Sequence, residues 1–288
     1  MKYQVILFYK FTPISNPELL RDEQKALCRE LGLTGRMLIA KEGINATFEG
    51  EIEAIRSYQA ATRKIFGNLV FKASVGTGQA FSGLKIKVRP EIVTLGRTDL
   101  QVSKETAPTV TAEELEAMYQ RNEDFVVLDL RNDYEIRAGH FEKTVDPGLH
   151  NFRDLPAKIQ QLQGLKNKKV VAVCTGGIRC EKATCLLKRE GFKNLYQLKD
   201  GIHTYLVKYP GKQGKFKGTL FVFDNRLVTP VVEGVEHEVV GECAYCQAVC
   251  EDFYNDDSIC PSRKVICCRS CLVERQLSLR DCRASLPA

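Results

Sequence analysis

No run in the 288-residue chain approaches the ~20 consecutive apolar residues that a membrane-spanning helix needs, so spanning-helix transporters and receptors are excluded. The opening stretch, Met1 to Lys10, has an apolar core too short for a secretory signal and lacks a small-residue cleavage site, so the protein is expected in the cytosol with no membrane role. No flavin, nicotinamide or haem signature is present. The Gly176-Gly177 pair follows a cysteine and does not extend into the spaced glycines of a dinucleotide-binding turn. If the chemistry is redox, its electron donor cannot be read from these residues. Charge of one sign is not dominant either: the net charge is +6, compatible with a polyanionic partner but not diagnostic of one. With 44% hydrophobic residues, a chain of this length suits two or three packed domains.

What the chain has in abundance is cysteine. Twelve cysteines in a reducing compartment point to metal or redox chemistry rather than to disulfides. Cys28 stands alone, Cys174, Cys180 and Cys185 fall together, and eight follow residue 240, so two separate cysteine-based sites are expected. The first is Cys174-Thr175-Gly176-Gly177-Ile178-Arg179, directly after the apolar run Lys169 to Val173 and before a helix-like stretch from Glu181 to Glu190. A cysteine at the end of a buried strand and at the mouth of a helix sits in a cradle of backbone N–H groups, here supplied by Thr175, Gly176, Gly177 and Ile178. The cradle and the Arg179 guanidinium both favour thiolate over thiol, lowering the pKa from its usual ~8.5. Cys174 is therefore the candidate nucleophile and Arg179 the residue that positions the loop. The plainer alternative is a buried structural cysteine in an ordinary strand-to-helix turn. Cys180, one residue past Arg179, fits helix packing and a redox partner of Cys174 equally well.

The Cys174 segment resembles the active-site loop of rhodanese-type sulfurtransferases, in which the leading cysteine carries a persulfide. Its six residues are one fewer than the related phosphatases use to hold phosphate, which argues against phosphatase chemistry. The apolar run Phe125 to Leu130, with Asp129, Arg131 and then Glu135, looks like that family's first strand and acidic turn; these three charged residues are read as support for the Cys174 loop. Leu195 to Leu198 resembles the closing strand. The double glycine usual after it is replaced by Asp200-Gly201, a departure expected to touch a loop rather than the chemistry.

Upstream, alternation at Val5 to Lys10, helical spacing over Pro17 to Leu31, a hairpin through Glu42-Gly43, a second helical pattern from Glu51 to Phe66 and a strand from Leu69 to Val75 give the order β-α-β-β-α-β. That order predicts a ferredoxin-like, acylphosphatase-like sandwich over residues 1–97. In the next segment Lys85, Lys87 and Arg89 alternate with apolar residues. Such a row is most often a solvated strand face, but it could contact RNA phosphates with help from Lys41 and Lys72. Residues 98–118 read as a linker, although Thr111 and Glu114 make a capping box. A rhodanese-like α/β domain with a parallel sheet is expected over 119–212, and a cysteine-rich region over 213–288. The joint between them carries Lys212, Lys215 and Lys217, a second candidate for RNA contact. In the tail, Cys243-x-x-Cys246 and Cys268-x-x-Cys271 have the pairing of a four-thiolate structural zinc site. Of the four that remain, Cys250, Cys260 and Cys267 complicate the assignment, since Cys267 could replace Cys268.

Taken over nearly its whole length, with Phe221-Val222-Phe223-Asp224-x-Arg226 ahead of the paired cysteines, the chain resembles the bacterial tRNA uridine hydroxylases. The resemblance implies an oxidoreductase that uses O2 to form 5-hydroxyuridine at the wobble position of tRNA, with its essential cysteine at Cys174. The alternative is a thiosulfate or persulfide sulfurtransferase, which shares Cys174 and Arg179 but needs neither RNA nor oxygen. A non-enzymatic zinc-tail adaptor is the third reading, disfavoured by the intact loop.

Overall fold

The computed structural model describes residues 2–255 and 264–275. In chain order its helices and strands are β1 (Tyr3–Phe11), α1 (Pro17–Glu30), β2 (Thr34–Ala40), β3 (Gly43–Glu51), α2 (Ile52–Phe66), β4 (Lys72–Gly76), β5 (Leu84–Val88), α3 (Val102–Glu105), β6 (Thr109–Val110), α4 (Ala112–Gln120), β7 (Val126–Asp129), α5 (Asp133–Ala138), β8 (Gly139–Phe141), β9 (Thr144–Val145), α6 (Leu155–Lys158), β10 (Lys169–Val173), α7 (Ile178–Arg189), β11 (Asn194–Leu198), α8 (Gly201–Lys208), β12 (Phe216–Gly218), β13 (Leu220–Phe221), β14 (Val228–Thr229), β15 (Phe253–Asn255), β16 (Lys264–Ile266) and α9 (Arg269–Glu274).

The N-terminal sheet runs β4-β1-β3-β2-β5. The first four strands pair antiparallel, the ferredoxin-like arrangement, and β5 adds to β2 as a parallel edge. Helix α1 starts where Asn16 accepts the Leu19 N–H at 3.0 Å and Pro17 takes the first turn; α2 ends at Gly67, whose φ of 69° suits a residue without a side chain. Both helices cover one face, burying Ile6, Phe8, Met37, Phe48, Ile55 and Tyr58. The last strand of the sandwich starts at Lys72 rather than Leu69, whose side chain is buried in the same core.

The second sheet, β6-β11-β10-β7-β9, is entirely parallel, with β10 at its centre. The unbroken apolar run of β10 is explained by burial on both faces. Val170 and Ala172 point into a core that includes Leu186 and Leu187 of α7, whereas Val171 and Val173 point into another that includes Leu115 of α4 and Tyr205 of α8.

Residues 98–118 are not a free linker. They carry α3, β6 and most of α4; β6 pairs with β11, and Thr184 on α7 accepts the Ala107 N–H at 3.1 Å. A two-residue strand flanked by Pro108 is too short to show a period. The tail is likewise stitched to the second domain: β12 pairs with β8, and Phe216 and Leu220 are buried in that domain's core.

Candidate active site

Cys174 follows the last residue of β10, and its loop turns into α7 through Gly177, whose φ of 101° lies in the left-handed region. The Gly177 N–H donates to the Cys174 sulfur at 3.2 Å. Burial alone would push this thiol's pKa up. The hydrogen bond with Cys180, the charge of Arg179 and the Cys180 and Gly177 amides outweigh it and bring the pKa down to about 6. Cys180 moves the opposite way, well above its ordinary value, through burial and then the neighbouring Cys174 sulfur. At neutral pH the pair is thus a Cys174 thiolate held by a protonated Cys180.

Arg179 is held by a two-pronged contact with Glu135, Nη1 to Oε1 at 2.7 Å and Nη2 to Oε2 at 2.9 Å, and it donates to Thr175 Oγ1 at 3.1 Å. Glu135 is fully buried and also accepts the Asn132 N–H at the start of α5. Behind it, Arg131 forks onto Asp129, both fully buried, and donates to the carbonyls of Glu135 at 3.3 Å and Gly139 at 2.7 Å. The structure therefore brings Asp129, Arg131, Glu135, Arg179 and Cys174 into one connected charge network.

The Asp200-Gly201 turn is closer to the chemistry than the sequence suggested. Ile202 N–H donates to the Cys174 carbonyl and His203 N–H to that of Thr175, and a Cβ on Gly201 would come within 2.7 Å of the Cys174, Gly176 and Gly177 backbone. Only glycine fits against the loop there. Asp200 pairs with Lys72 at 3.1 Å.

That contact reveals a role the sequence did not assign, because the N-terminal domain packs directly over the loop. Leu7 lies against Gly176, and Tyr9 lies against Gly177 while donating to Glu181 at 2.8 Å. Burial raises the Glu181 pKa. Lys72 is buried, and its ammonium lies 5.2 Å from the centre of the Tyr9 ring. Lys182, also fully buried, reaches Glu42 at 2.9 Å and Glu91 at 2.6 Å in the first domain. Leu7 and Tyr9 on β1 and Lys72 on β4 follow ordinary strand alternation, so no local signal marks this role for them. The Cys174 sulfur is sealed beneath this cover, with 0% of the residue exposed.

Lys72 is consequently not part of the Lys85, Lys87 and Arg89 row: it lies on the edge strand opposite β5. Lys85, Arg89 and Lys41 are exposed and Lys87 is half-buried. In the second basic group Lys212 pairs with Glu236 and Lys215 with Glu142, while Lys217 lines an open cleft of about 500 Å³ with His140 and Lys143.

In the tail, the sulfurs of Cys243, Cys246, Cys268 and Cys271 all lie within 4.8 Å of one another, with Cys246 and Cys268 3.6 Å apart. Four thiolates around zinc at ~2.3 Å stand just under 4 Å from each other, so the donor set fits a tetrahedral thiophilic ion. Cys267 is buried and turns its sulfur to the Cys268 carbonyl, and Cys250 packs beside the cluster. Cys260 lies outside the described residues.

A central-strand cysteine in a six-residue loop, anchored by a buried arginine on a parallel α/β sheet, defines a rhodanese-type domain. Accordingly, residues 111–208 match the rhodanese-like domain model, 3–92 the UPF0176 acylphosphatase-like domain and 217–284 the rhodanese C-terminal domain. The tRNA uridine(34) hydroxylase of Onion yellows phytoplasma (strain OY-M) is 39% identical over 92% of this chain and 87% of its own. Those of Cytophaga hutchinsonii (38%, 93% and 86%) and Bacillus cereus AH187 (40%, 92% and 84%) are similar to the same extent. The chain belongs to the tRNA uridine(34) hydroxylase family. Among solved structures, a rhodanese-like domain protein from Staphylococcus aureus is 22% identical over 34% of this chain and 90% of that one, with a TM-score of 0.30. Among the described residues no helix is long and apolar enough to cross a membrane.

Proposed function

We propose that this protein hydroxylates C5 of the uridine at tRNA position 34, using dioxygen and the sulfur of Cys174. The observation that carries the reading is a thiol brought to about 6 by Cys180, Arg179 and the loop amides against the opposing effect of burial, in a chain of this family. In balance, one oxygen atom enters the C5–H bond and the other leaves as water, which takes two electrons and two protons from an external donor. Cys174 and Arg179 are the catalytic residues, Thr175 to Ile178 form the anion cradle, and Asp129, Arg131 and Glu135 position Arg179. Cys180 is the hydrogen-bond donor and redox partner.

The sulfur acts in one of two ways. It adds to C6 of uracil and makes C5 nucleophilic towards the oxygen species, or the external donor's two electrons and two protons reduce dioxygen at the sulfur, releasing water and leaving a Cys174 sulfenic acid whose oxygen passes to C5 as the thiol is regenerated. Cys180 then resolves only an unspent sulfenic acid, by forming a disulfide and water. With Cys174 fully buried, either route requires the Tyr9 and Lys72 cover to move aside before the uracil meets the sulfur. A dimedone adduct of Cys174 formed before RNA is added supports the relay; a Cys174-to-nucleotide adduct supports addition.

The N-terminal sandwich (1–97) covers the Cys174 loop, the rhodanese-like domain (119–212) takes in α3, β6 and most of α4 from the 98–118 segment, and in the described part of the cysteine-rich region (213–288) a structural zinc ion is held by Cys243, Cys246, Cys268 and Cys271. The Lys85, Lys87 and Arg89 row contacts tRNA phosphates in the cytoplasm. The test is nucleoside mass spectrometry of tRNA from cells lacking the gene, complemented with wild type or Cys174→Ser. Restoration of 5-hydroxyuridine by wild type alone is expected; an unchanged profile returns the protein to the sulfurtransferase reading.

A further inference from the structure

A wobble uridine that reacts has to leave its stack, and an enzyme that holds an extruded base needs an aromatic or apolar surface beside the reactive group. Among the described residues Phe223, at 38%, is the most exposed aromatic side chain. Single exposed apolar residues are ordinary on protein surfaces. Phe223 differs in where it is and how firmly it is held. Its ring centre lies 6.0 Å from the Arg179 guanidinium, the group that anchors the Cys174 loop. It meets fully buried Phe221 edge-on at 5.3 Å.

The turn that carries it is pinned on both sides. Asp224, buried, accepts from the Arg226 backbone at 3.0 Å and its Nε at 2.8 Å. Arg226 Nη1 continues to Ser74 Oγ at 2.9 Å and Val75 O at 2.8 Å, while Asn225 donates to Gln79 O at 2.7 Å. The third part of the chain is thus tied to the edge of the first while holding a ring over the arginine of the second. The turn is fixed while the ring it carries stays partly exposed, the combination a base-stacking platform requires.

We propose that Phe223 stacks the extruded pyrimidine of the wobble uridine beside the Arg179 mouth of the Cys174 loop; this rests on the hydroxylase reading. The chain contains no tryptophan, so Phe223→Trp places a single reporter at the site. Its fluorescence is titrated with an anticodon stem-loop RNA carrying uridine at the wobble position, and with the same RNA abasic there. Quenching by the first and little by the second is expected; equal quenching overturns the proposal. In turnover, Phe223→Ala raises KM and lowers kcat/KM roughly 5- to 150-fold, the range that stacking one base is worth. Phe223→Tyr restores both, because it keeps the ring. If Phe223→Ala unfolds, the tyrosine and tryptophan variants still decide the matter. A wild-type kcat/KM for folded Phe223→Ala would overturn the assignment. Product formed by wild type without base-dependent quenching removes the stacking site alone. Base-dependent quenching without any 5-hydroxyuridine removes the hydroxylation and leaves the stack.

Discussion

Glu135→Gln keeps the shape of a buried side chain and deletes its charge, so it isolates what the Glu135–Arg179 pair contributes. Glu135 is fully buried, and both guanidinium contacts are short, at 2.7 and 2.9 Å. Glutamine still caps α5, since its carbonyl can accept the Asn132 N–H. What is lost is, among the described residues, the one carboxylate in hydrogen-bonding contact with the Arg179 guanidinium, which is almost entirely withdrawn from water. Removing one partner of such a pair costs about 3–5 kcal/mol. At about 2–4 °C per kcal/mol for a protein of this size, thermal unfolding followed by circular dichroism should drop by roughly 6–20 °C.

The effect on Cys174 has the opposite sense to that of removing the arginine. Without Glu135 the Arg179 charge acts on the sulfur unopposed, so the Cys174 pKa stays at or below about 6 in a folded variant, whereas Arg179→Gln raises it. Ultraviolet thiolate absorbance, taken as the difference from a Cys174→Ser background, reads that value directly. A shift within about 2 °C, or less than ~1 kcal/mol, would refute the claim that this pair is dry and paired. So would a Cys174 pKa that rises in Glu135→Gln.

If the thiolate is the active form, kcat/KM should rise about tenfold per pH unit below the Cys174 pKa of about 6 and level off above it; a plateau reached only near ~8.5 would mean an ordinary thiol. Because the folded value lies below the unfolded one, the thiolate's contribution to stability is complete above ~8.5 and is lost as pH falls through about 6. The purified protein should carry about one zinc ion per chain, lost in Cys246→Ser together with protease resistance of the tail, and metal analysis showing none would remove the site. Reversing Lys85, Lys87 and Arg89 together should lessen the slope of log affinity for tRNA against log salt by roughly 2, and an unchanged slope would take this row out of the RNA interface.

The features readable in advance were local ones. A β-α-β-β-α-β pattern needs only hydrophobic period and turn residues within a few positions, and the Cys174 loop announces itself through a strand, two glycines and an arginine in eleven consecutive residues. The Cys-x-x-Cys pairs belong to the same class, since each half of the site is made within four residues. The short strand β6 was missed because two residues show no period, and Cys268 was separated from Cys267 only by the direction of their sulfurs.

By itself, then, the sequence marked the element order of the first sandwich and, through its likeness to a known loop, the cysteine of the second part and the arginine that follows it, because those depend on neighbours along the chain. Only the tertiary structure decided what closes over them. Tyr9 and Glu181 are 172 positions apart, Lys182 meets Glu42 across 140, and Lys72 turned out to face Asp200 at the loop rather than a basic strip. Phe223 reaches Arg179 from the third part of the chain, and Arg226 ties that part to Val75 of the first. Contacts of this kind follow from how three folded units pack, and a side chain on an ordinary strand carries no local mark of the distant surface it will meet.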